Sequence, residues 1–202
     1  MKANHKEMQR KQAKNNGRIQ GTVPKEYKGI HFRSTLEADT AKTLDLLGVS
    51  YSYESRRITL LEGFRCSFQK DKVRAIHYIP DFIIGNIIIE CKGFETPEWK
   101  QKKKYVFKYL MENEPNTYFY QIHNSGKDIL VVLDNHWQSL GFCIQVTSKP
   151  TSKQASIVYK YSSIKNAMDS LSLSTKNIGS LLKSFVGKTE YVYGYNWKLV
   201  KI

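Results

Sequence analysis

The sequence is poor in cysteine and contains no long apolar run. Its three cysteines, Cys66, Cys91 and Cys143, are odd in number and lack the paired spacing of zinc ligands, so neither a disulfide framework nor a zinc site is expected. No apolar stretch approaches the ~20 residues that a membrane helix needs. Residues 1–21 lack the apolar centre of a signal peptide. We therefore expect a cytoplasmic protein with no membrane partner.

Acidic charge is also scarce, and the scarcity is uneven. The chain has 32 Lys and Arg against 18 Asp and Glu, a net charge of +14. Residues 1–29 carry a net +6 and residues 148–202 a net +7, whereas residues 30–147 carry only +1. Basic segments neutralise phosphates without reading sequence. The pattern predicts a basic, flexible N-terminal arm (1–29), a main domain (30–147), a linker (148–156) and a small separate module (157–202).

One apolar stretch, YIPDFIIGNIIIECKGF, places charges inside a predicted β-hairpin. Its Gly85-Asn86 dipeptide is suited to a two-residue turn. Pairing outward from that turn brings Asp81 opposite Glu90, and period-2 alternation puts Lys92 on the same face. One face of the hairpin would carry Phe82, Ile84, Ile87, Ile89 and Cys91, and the other Ile83 and Ile88. The sequence thus predicts a hairpin that is covered on both faces, with three charged groups converging at its open end.

Two carboxylates in a partly dry site repel each other unless one stays protonated or a cation neutralises them. Facing carboxylates suit Mg²⁺ or Mn²⁺, so Asp81 and Glu90 are candidate metal ligands. Lys92 beside them could orient or deprotonate a water, or stabilise charge on a phosphate. Metal, water and a cationic side chain together suit hydrolysis of a phosphodiester. The simpler alternative is that Lys92 only pairs with an acid at a strand end.

The order Pro80-Asp81, eight residues, then Glu90-Cys91-Lys92 resembles the active-site signature of the PD-(D/E)XK nuclease superfamily. With FRSTLE at residues 32–37 upstream, the chain is similar to phage junction-resolving endonucleases over roughly residues 29–132. The resemblance implies an α/β fold, a mixed sheet flanked by helices. It also implies metal ligation by Asp81 and Glu90, assistance to the water by Lys92, and a further catalytic acid, Glu37. The long charged stretch 56–76 departs from the resemblance and leaves the shape of the substrate open.

Two residues before the hairpin have alternative interpretations. A helix is predicted from Ser34 to Leu47, and Glu37 borders its apolar stripe. The Ser34-x-x-Glu37 spacing is also a capping box, so Glu37 is either catalytic or a capping residue. Arg33 is a candidate phosphate contact, although an arginine near a helix start can be merely solvated.

After the hairpin, Thr96-Pro97-Glu98 predicts a helix start, and the helix should end near Asn113. Its inward residues are predicted to be Trp99, Val106, Phe107 and Leu110. Its lysines should face solvent or a polyanion: Lys100, Lys102, Lys103, Lys104 and Lys108. Of these, Lys100, Lys103 and Lys104 are candidate DNA contacts. Further strands are predicted at 118–123, 128–133 and 144–146, with Gln121 making an ordinary hydrogen bond in the sheet or lining the metal face.

The C-terminal segment predicts a strand at 157–161 and two short helices capped by Ser163 and Ser174. Such a pair suggests a helix-turn-helix-like module, although plain packing also explains two short amphipathic helices. Its second helix would offer Thr175, Lys176, Asn177, Ser180 and Lys183 to a DNA major groove. The segment is similar to the nuclease-associated modular domains of phage and intron homing endonucleases. That similarity rests on Ser163, Ile164, Ala167, Leu171, Ser174, Ile178, Leu182, Gly187, Lys188, Gly194, Tyr195 and Trp197. It departs at Gly179 and at residues 189–193, and it implies DNA binding, with Lys188 as another candidate contact.

Taken together, these resemblances lead us to expect a metal-dependent DNA endonuclease that uses Mg²⁺ or Mn²⁺ on double-stranded DNA. The expected type is a homing endonuclease of a phage or mobile element, acting in the host cytoplasm. The alternatives are a resolvase selective for Holliday-type junctions and a non-catalytic DNA-binding protein with a nuclease-like fold. Because one site per chain cuts one strand at a time, a homodimer or sequential nicking is expected.

Overall fold

The structure is a computed structural model that describes residues 23–152 and 154–202. The side chains of residues 175–177 are outside this description. The strands are β1 (Lys25–Tyr27), β2 (Ile30–Phe32), β3 (Ser52–Tyr53), β4 (Ile58–Leu61), β5 (Ile76–Tyr78), β6 (Phe82–Ile84), β7 (Ile87–Cys91), β8 (Tyr118–Ile122), β9 (Phe142–Ser148), β10 (Val158–Tyr161) and β11 (Tyr195–Lys201). The α-helices are α1 (Thr35–Leu46), α2 (Pro97–Asn113), α3 (Lys127–Asp134), α4 (Ile164–Ser170) and α5 (Leu181–Phe185), and Thr175–Ser180 is a 3₁₀ helix. The fold is therefore mixed α/β, as predicted.

The central sheet has the strand order β3-β6-β7-β8, and the predicted hairpin forms its middle. Strands β6 and β7 pair antiparallel with Phe82 opposite Ile89, which is the predicted register. Gly85 adopts a positive φ of 57° at the turn, a conformation that glycine adopts at little cost. Strand β8 then pairs parallel to β7, with Gln121 beside Glu90, so α2 serves as the crossover between them.

Helices cover both faces of this sheet, as predicted from its apolar residues. The larger apolar cluster packs α1 and α3 against one face and includes Ala41, Leu44, Phe82, Ile84, Ile87, Ile89, Ile129 and Leu133. A second cluster packs α2 and strands β4 and β5 against the other face and contains Ile58, Tyr78, Ile88, Trp99, Val106 and Leu110. The open end of the hairpin is thus held between two packed layers.

The two helices next to the site begin where the sequence predicts. The Ser34 hydroxyl accepts a hydrogen bond from the Glu37 N–H at the start of α1 (3.2 Å), and the Thr96 hydroxyl accepts one from the Trp99 N–H at the start of α2 (3.1 Å). Helix α2 ends at Asn113, also as predicted. The inward placement of Phe107 was wrong, because its side chain is 47% exposed and rests edge-on against Phe119.

The strand predicted at 128–133 is instead helix α3. The Asp128 carboxylate accepts hydrogen bonds from the N–H groups of His123 and Asn124, and the Asn124 side chain accepts from those of Gly126 and Lys127. The Asn124 bonds satisfy free N–H donors at the helix start, which a strand would not have, and the Asp128 bonds fix the loop before it. The apolar run that follows is mostly buried, so its pattern fits either a strand or a helix.

The C-terminal segment shares a sheet with the main domain. Strand β9, which the sequence assigns largely to the main domain, is the central strand between β10 and β11. It runs to Ser148, which pairs with Tyr195, so the predicted boundary at 147/148 lies inside a strand. The buried side chains of Ile164 and Trp197 belong to the same apolar cluster as α3. The residues predicted as a linker therefore include a strand end, and the two segments are packed together.

The predicted second helix of the C-terminal module is divided. Its first part, Thr175–Ser180, is a 3₁₀ helix, and only Leu181–Phe185 is α-helical. Gly179 allows the 3₁₀ helix to approach α3, since a Cβ atom there would lie 3.3 Å from the Lys127 Cβ. The regular recognition helix expected from a helix-turn-helix is therefore not formed by these residues. Helix α4, capped by Ser163, is formed as predicted.

The predicted N-terminal arm is described only at its end. Residues 1–22 lie outside the described part of the chain, whereas residues 25–27 form strand β1, which pairs with β2. The arm predicted over 1–29 is therefore ordered in its last residues. Among the helices that the structure describes, none is both long and apolar enough to cross a membrane.

Candidate active site

The open end of the hairpin holds two buried carboxylates. The side chain of Asp81, just before β6, is 7% exposed, and that of Glu90, near the end of β7, is 3% exposed. Asp81 Oδ2 accepts a hydrogen bond from the Cys91 N–H at 2.8 Å, which fixes it across the hairpin. Glu90 Oε2 accepts one from the Tyr78 hydroxyl at 2.7 Å. The sequence predicted that these two acids meet, and the structure brings them together.

Lys92 is held between Glu90 and Trp99. Its Nζ lies 2.5 Å from Glu90 Oε1 and 4.6 Å from the centre of the Trp99 ring, so it makes an ion pair and a cation–π contact. Burial opposes the charge on Lys92, but the carboxylate of Glu90 outweighs it and raises the pKa of the lysine, with Asp81 adding to the effect. The lysine is therefore charged, and its 22% exposed side chain leaves one side of it accessible.

With both acids ionised, the buried pair would carry more negative charge than Lys92 balances. Burial, followed by the nearby charge of Glu90, raises the pKa of Asp81 to about 8. Lys92 and the Cys91 N–H work against this rise without cancelling it. In the metal-free protein the raised pKa therefore favours the protonated form of Asp81 near neutral pH. A divalent cation that displaces this proton would relieve the repulsion between the two acids.

Glu37 caps helix α1 and also borders the site. Its Oε1 accepts a hydrogen bond from the Ser34 hydroxyl (2.7 Å), while its Oε2 accepts from the Arg33 N–H (3.1 Å) and the Tyr53 hydroxyl (2.6 Å). The capping interpretation is confirmed, with Arg33 rather than Ser34 as the amide donor. The charge of Glu37 still contributes to the raised pKa of Asp81, so the residue acts on the site electrostatically.

A polar network fixes Trp99, whose ring contacts Lys92. Gln121 Oε1 accepts hydrogen bonds from Trp99 Nε1 (3.0 Å) and Lys103 Nζ (3.2 Å), so the glutamine makes ordinary hydrogen bonds in the sheet. Lys103 also pairs with Glu95. The prediction that Lys103 faces solvent was therefore wrong, because α2 turns this side chain toward β8 and the loop after β7.

Sequence reasoning missed three residues that shape the site: Tyr78, Trp99 and Lys102. Tyr78 and Trp99 were read as parts of a strand and a core, yet they contact Glu90 and Lys92 directly. Lys102 is half-buried rather than solvent-facing, and burial lowers its pKa despite the opposing charge of Glu90. A spacing of three residues from Trp99 to Lys102 on α2 was the available signal, because it puts both on one helical face.

The predicted DNA contacts lie in two regions. Near the site, the side chain of Arg33 is 67% exposed and pairs with Glu54 at 2.7 Å, and Lys100 and Lys104 are exposed on α2. In the C-terminal segment, Lys183 and Lys188 are exposed. Ser180 donates a hydrogen bond to Tyr193 there (3.2 Å). Thr175, Lys176 and Asn177 lie on the 3₁₀ helix, and their side chains are outside the described part of the structure.

The donor set fits a hard divalent cation. Asp81 and Glu90 offer buried carboxylate oxygens, and a cation would neutralise the repulsion that arises between them when both are ionised. Across residues 23–152 and 154–202, no three His, Cys, Asp or Glu side chains are grouped as metal ligands. Mg²⁺ commonly takes only one or two carboxylates and completes its shell with water and substrate phosphate. Two protein ligands are therefore sufficient for such an ion.

Comparisons with known proteins found no match. No family model fits the sequence, and neither the curated proteins nor the solved structures contain one that is significantly similar to it.

Proposed function

We propose that the protein is a divalent-metal-dependent DNA endonuclease with a PD-(D/E)XK-type site. The observation that carries this proposal is the pair of buried carboxylates, Asp81 and Glu90, with Lys92 against them. Burying like charges is costly, and a fold seldom retains the arrangement without a use for it. Mg²⁺ and Mn²⁺ fit the donor set, and the resemblance of the same three residues to the nuclease signature supports this reaction.

The residues have distinct roles in this proposal. Asp81 and Glu90 would hold the metal, which when bound supplies charge stabilisation at the phosphate and a water of lowered pKa. The charged Lys92 orients the attacking water and stabilises the negative charge that develops on the phosphate oxygens. Tyr78 positions Glu90 through the 2.7 Å hydrogen bond from its hydroxyl. Trp99 positions Lys92 through the cation–π contact. Glu37 adds negative charge beside the metal ligands.

Double-stranded DNA is the proposed substrate because the charge of the chain favours a polyanion. The excess of basic residues lies in the two terminal segments, and the exposed Lys183 and Lys188 belong to the C-terminal one. Holding DNA through these segments raises the effective concentration of the site near the bound DNA. This arrangement suits a homing-type endonuclease of a phage or mobile element, acting in the host cytoplasm either as a homodimer or by sequential nicks.

The test uses two labelled substrates, a long linear duplex pool and a four-way junction, with Mg²⁺ or Mn²⁺. Wild type is compared with Lys92→Ala and with the matched control Lys108→Ala, which removes an exposed lysine from α2. Discrete duplex fragments that Lys92→Ala loses and Lys108→Ala keeps are the expected result. Cleavage of the junction alone would favour a resolvase, and no metal-dependent cleavage of either substrate would favour a non-catalytic DNA-binding protein.

A further inference from the structure

The charged stretch that departs from the nuclease resemblance forms a projecting hairpin. Beyond the paired strands β4 and β5, Phe64 and Val73 exchange backbone hydrogen bonds of 3.0 and 2.8 Å. Gly63 lets the two strands of this hairpin approach closely, because a Cβ atom there would lie 2.9 Å from the Val73 carbonyl oxygen. We call residues 62–75 the finger. It is a continuation of the β4–β5 ladder with a fixed base.

The finger presents an aromatic side chain among cations. Phe68 at its tip is 96% exposed, and Phe64 is 47% exposed. Four exposed basic residues flank them: Arg65, Lys70, Lys72 and Arg74. No salt bridge to these four is found in the described part of the chain. An exposed aromatic ring framed by free cations matches the surface that binds nucleic acid through phosphates and base stacking.

The finger is attached directly to the candidate active site. Strand β5 ends at Tyr78, whose hydroxyl donates to Glu90, and Tyr78 pairs with Ile58 of β4. Ten residues separate Tyr78 from Phe68, so the tip reaches at most about 35 Å from the site. One turn of duplex DNA measures about 34–36 Å. DNA that leaves the site in the direction of the finger would come within reach of its tip inside about one helical turn.

On the premise of the proposed nuclease function, we propose that the finger grips DNA within about one helical turn of the cut. Its four cations contact phosphates, and Phe68 inserts between bases. Insertion of an apolar wedge unstacks a base step and bends the duplex, so the favoured substrate is DNA with an easily opened step, a mismatch or a branch. The positive charge around Phe68 favours DNA over an apolar protein surface as the partner.

The test measures binding without metal, so that it is independent of cleavage. Two DNA substrates are used, a duplex with a central mismatch and, separately, a four-way junction. Each carries 2-aminopurine, whose fluorescence rises when the base is unstacked. Wild type is compared with Phe68→Ala and with the matched control Met111→Ala, which removes an exposed apolar side chain from α2. We expect Phe68→Ala to weaken binding about 5- to 100-fold and to abolish the fluorescence rise, whereas Met111→Ala changes neither. The double variant Lys70→Ala/Lys72→Ala should depend less on salt. The slope of the logarithm of its DNA association constant against the logarithm of the salt concentration should be smaller in magnitude by about two.

The outcomes separate this proposal from the proposed function. If Phe68→Ala binds and unstacks DNA like wild type, the finger proposal is overturned while metal-dependent cleavage still supports the nuclease. If binding depends on Phe68 but no DNA is cut with Mn²⁺, the finger is supported and the nuclease fails. If the wild-type protein binds neither DNA, the finger proposal is overturned.

Discussion

Replacing Asp81 by asparagine should stabilise the metal-free protein and abolish cleavage. Asparagine has nearly the same shape and can still accept the hydrogen bond from the Cys91 N–H. It carries no charge, so it removes the repulsion with Glu90 that, together with burial, raises the pKa of Asp81. A substitution that stabilises the fold and abolishes activity indicates that the wild-type residue is kept for function.

The size and pH dependence of this effect follow from the raised pKa. The folded value is about 8 and the unfolded value 3.8. The contribution of Asp81 to stability is thus fully present below about pH 4 and is lost as the pH rises through about 8. A difference of about four pKa units sets an upper limit of roughly 6 kcal/mol. We expect about 1–3 kcal/mol at pH 9, because water and Lys92 can rearrange around the charge.

The assay is thermal unfolding in EDTA at several pH values between about 4 and 9. Asp81→Asn should match wild type near pH 4 and melt several degrees higher near pH 9, since about 1 kcal/mol moves Tm by about 2–4 °C in a chain of this size. The control Asp169→Asn, at an exposed position, should show no such trend. Mn²⁺ in place of EDTA should stabilise wild type but not Asp81→Asn. Parallel curves for wild type and Asp81→Asn across this range would show that Asp81 does not have a raised pKa in the folded protein.

Three further predictions concern the same site. Tyr78→Phe removes the hydrogen bond to the buried Glu90 and should lower the free energy of unfolding by about 1–3 kcal/mol, measured by urea titration; an unchanged midpoint would contradict it. Ser34→Ala should cost about 1 kcal/mol of stability and leave the cleavage rate unchanged. Glu37→Gln should slow cleavage at least tenfold. If the two variants cleaved DNA at the same rate, Glu37 would be a capping residue only. Metal affinity, measured by Mn²⁺ calorimetry, should rise about tenfold per pH unit below pH 8, because one proton leaves as the metal binds; a flat profile would oppose this.

The hairpin and its acids could be predicted because their determinants are local. The turn dipeptide at 85–86 fixes the register, and period-2 alternation then assigns each side chain to a face. The caps at Ser34 and Thr96 were predictable for the same reason. Such features depend on residues a few positions apart.

The remaining features depend on partners that are distant in the sequence. Residues 128–133 form a mostly buried apolar run without a clear period, so only their packing and the Asn124 and Asp128 bonds decide for a helix. Strand β9 was predicted, but its position between β10 and β11 depends on long-range pairing. The pairing of Lys103 with Glu95 and Gln121 likewise requires α2 to be placed on the sheet.

We propose that Asp81, Glu90 and Lys92 hydrolyse DNA with a divalent metal. The most direct test of this proposal is the initial rate of nicking of a supercoiled plasmid by wild type and by Glu90→Gln, each with Mn²⁺ and with EDTA. We expect cleavage by wild type with Mn²⁺, none in EDTA, and a loss of at least about 100-fold in Glu90→Gln while its fold is retained. Equal rates for the two proteins, or cleavage that persists in EDTA, would contradict it.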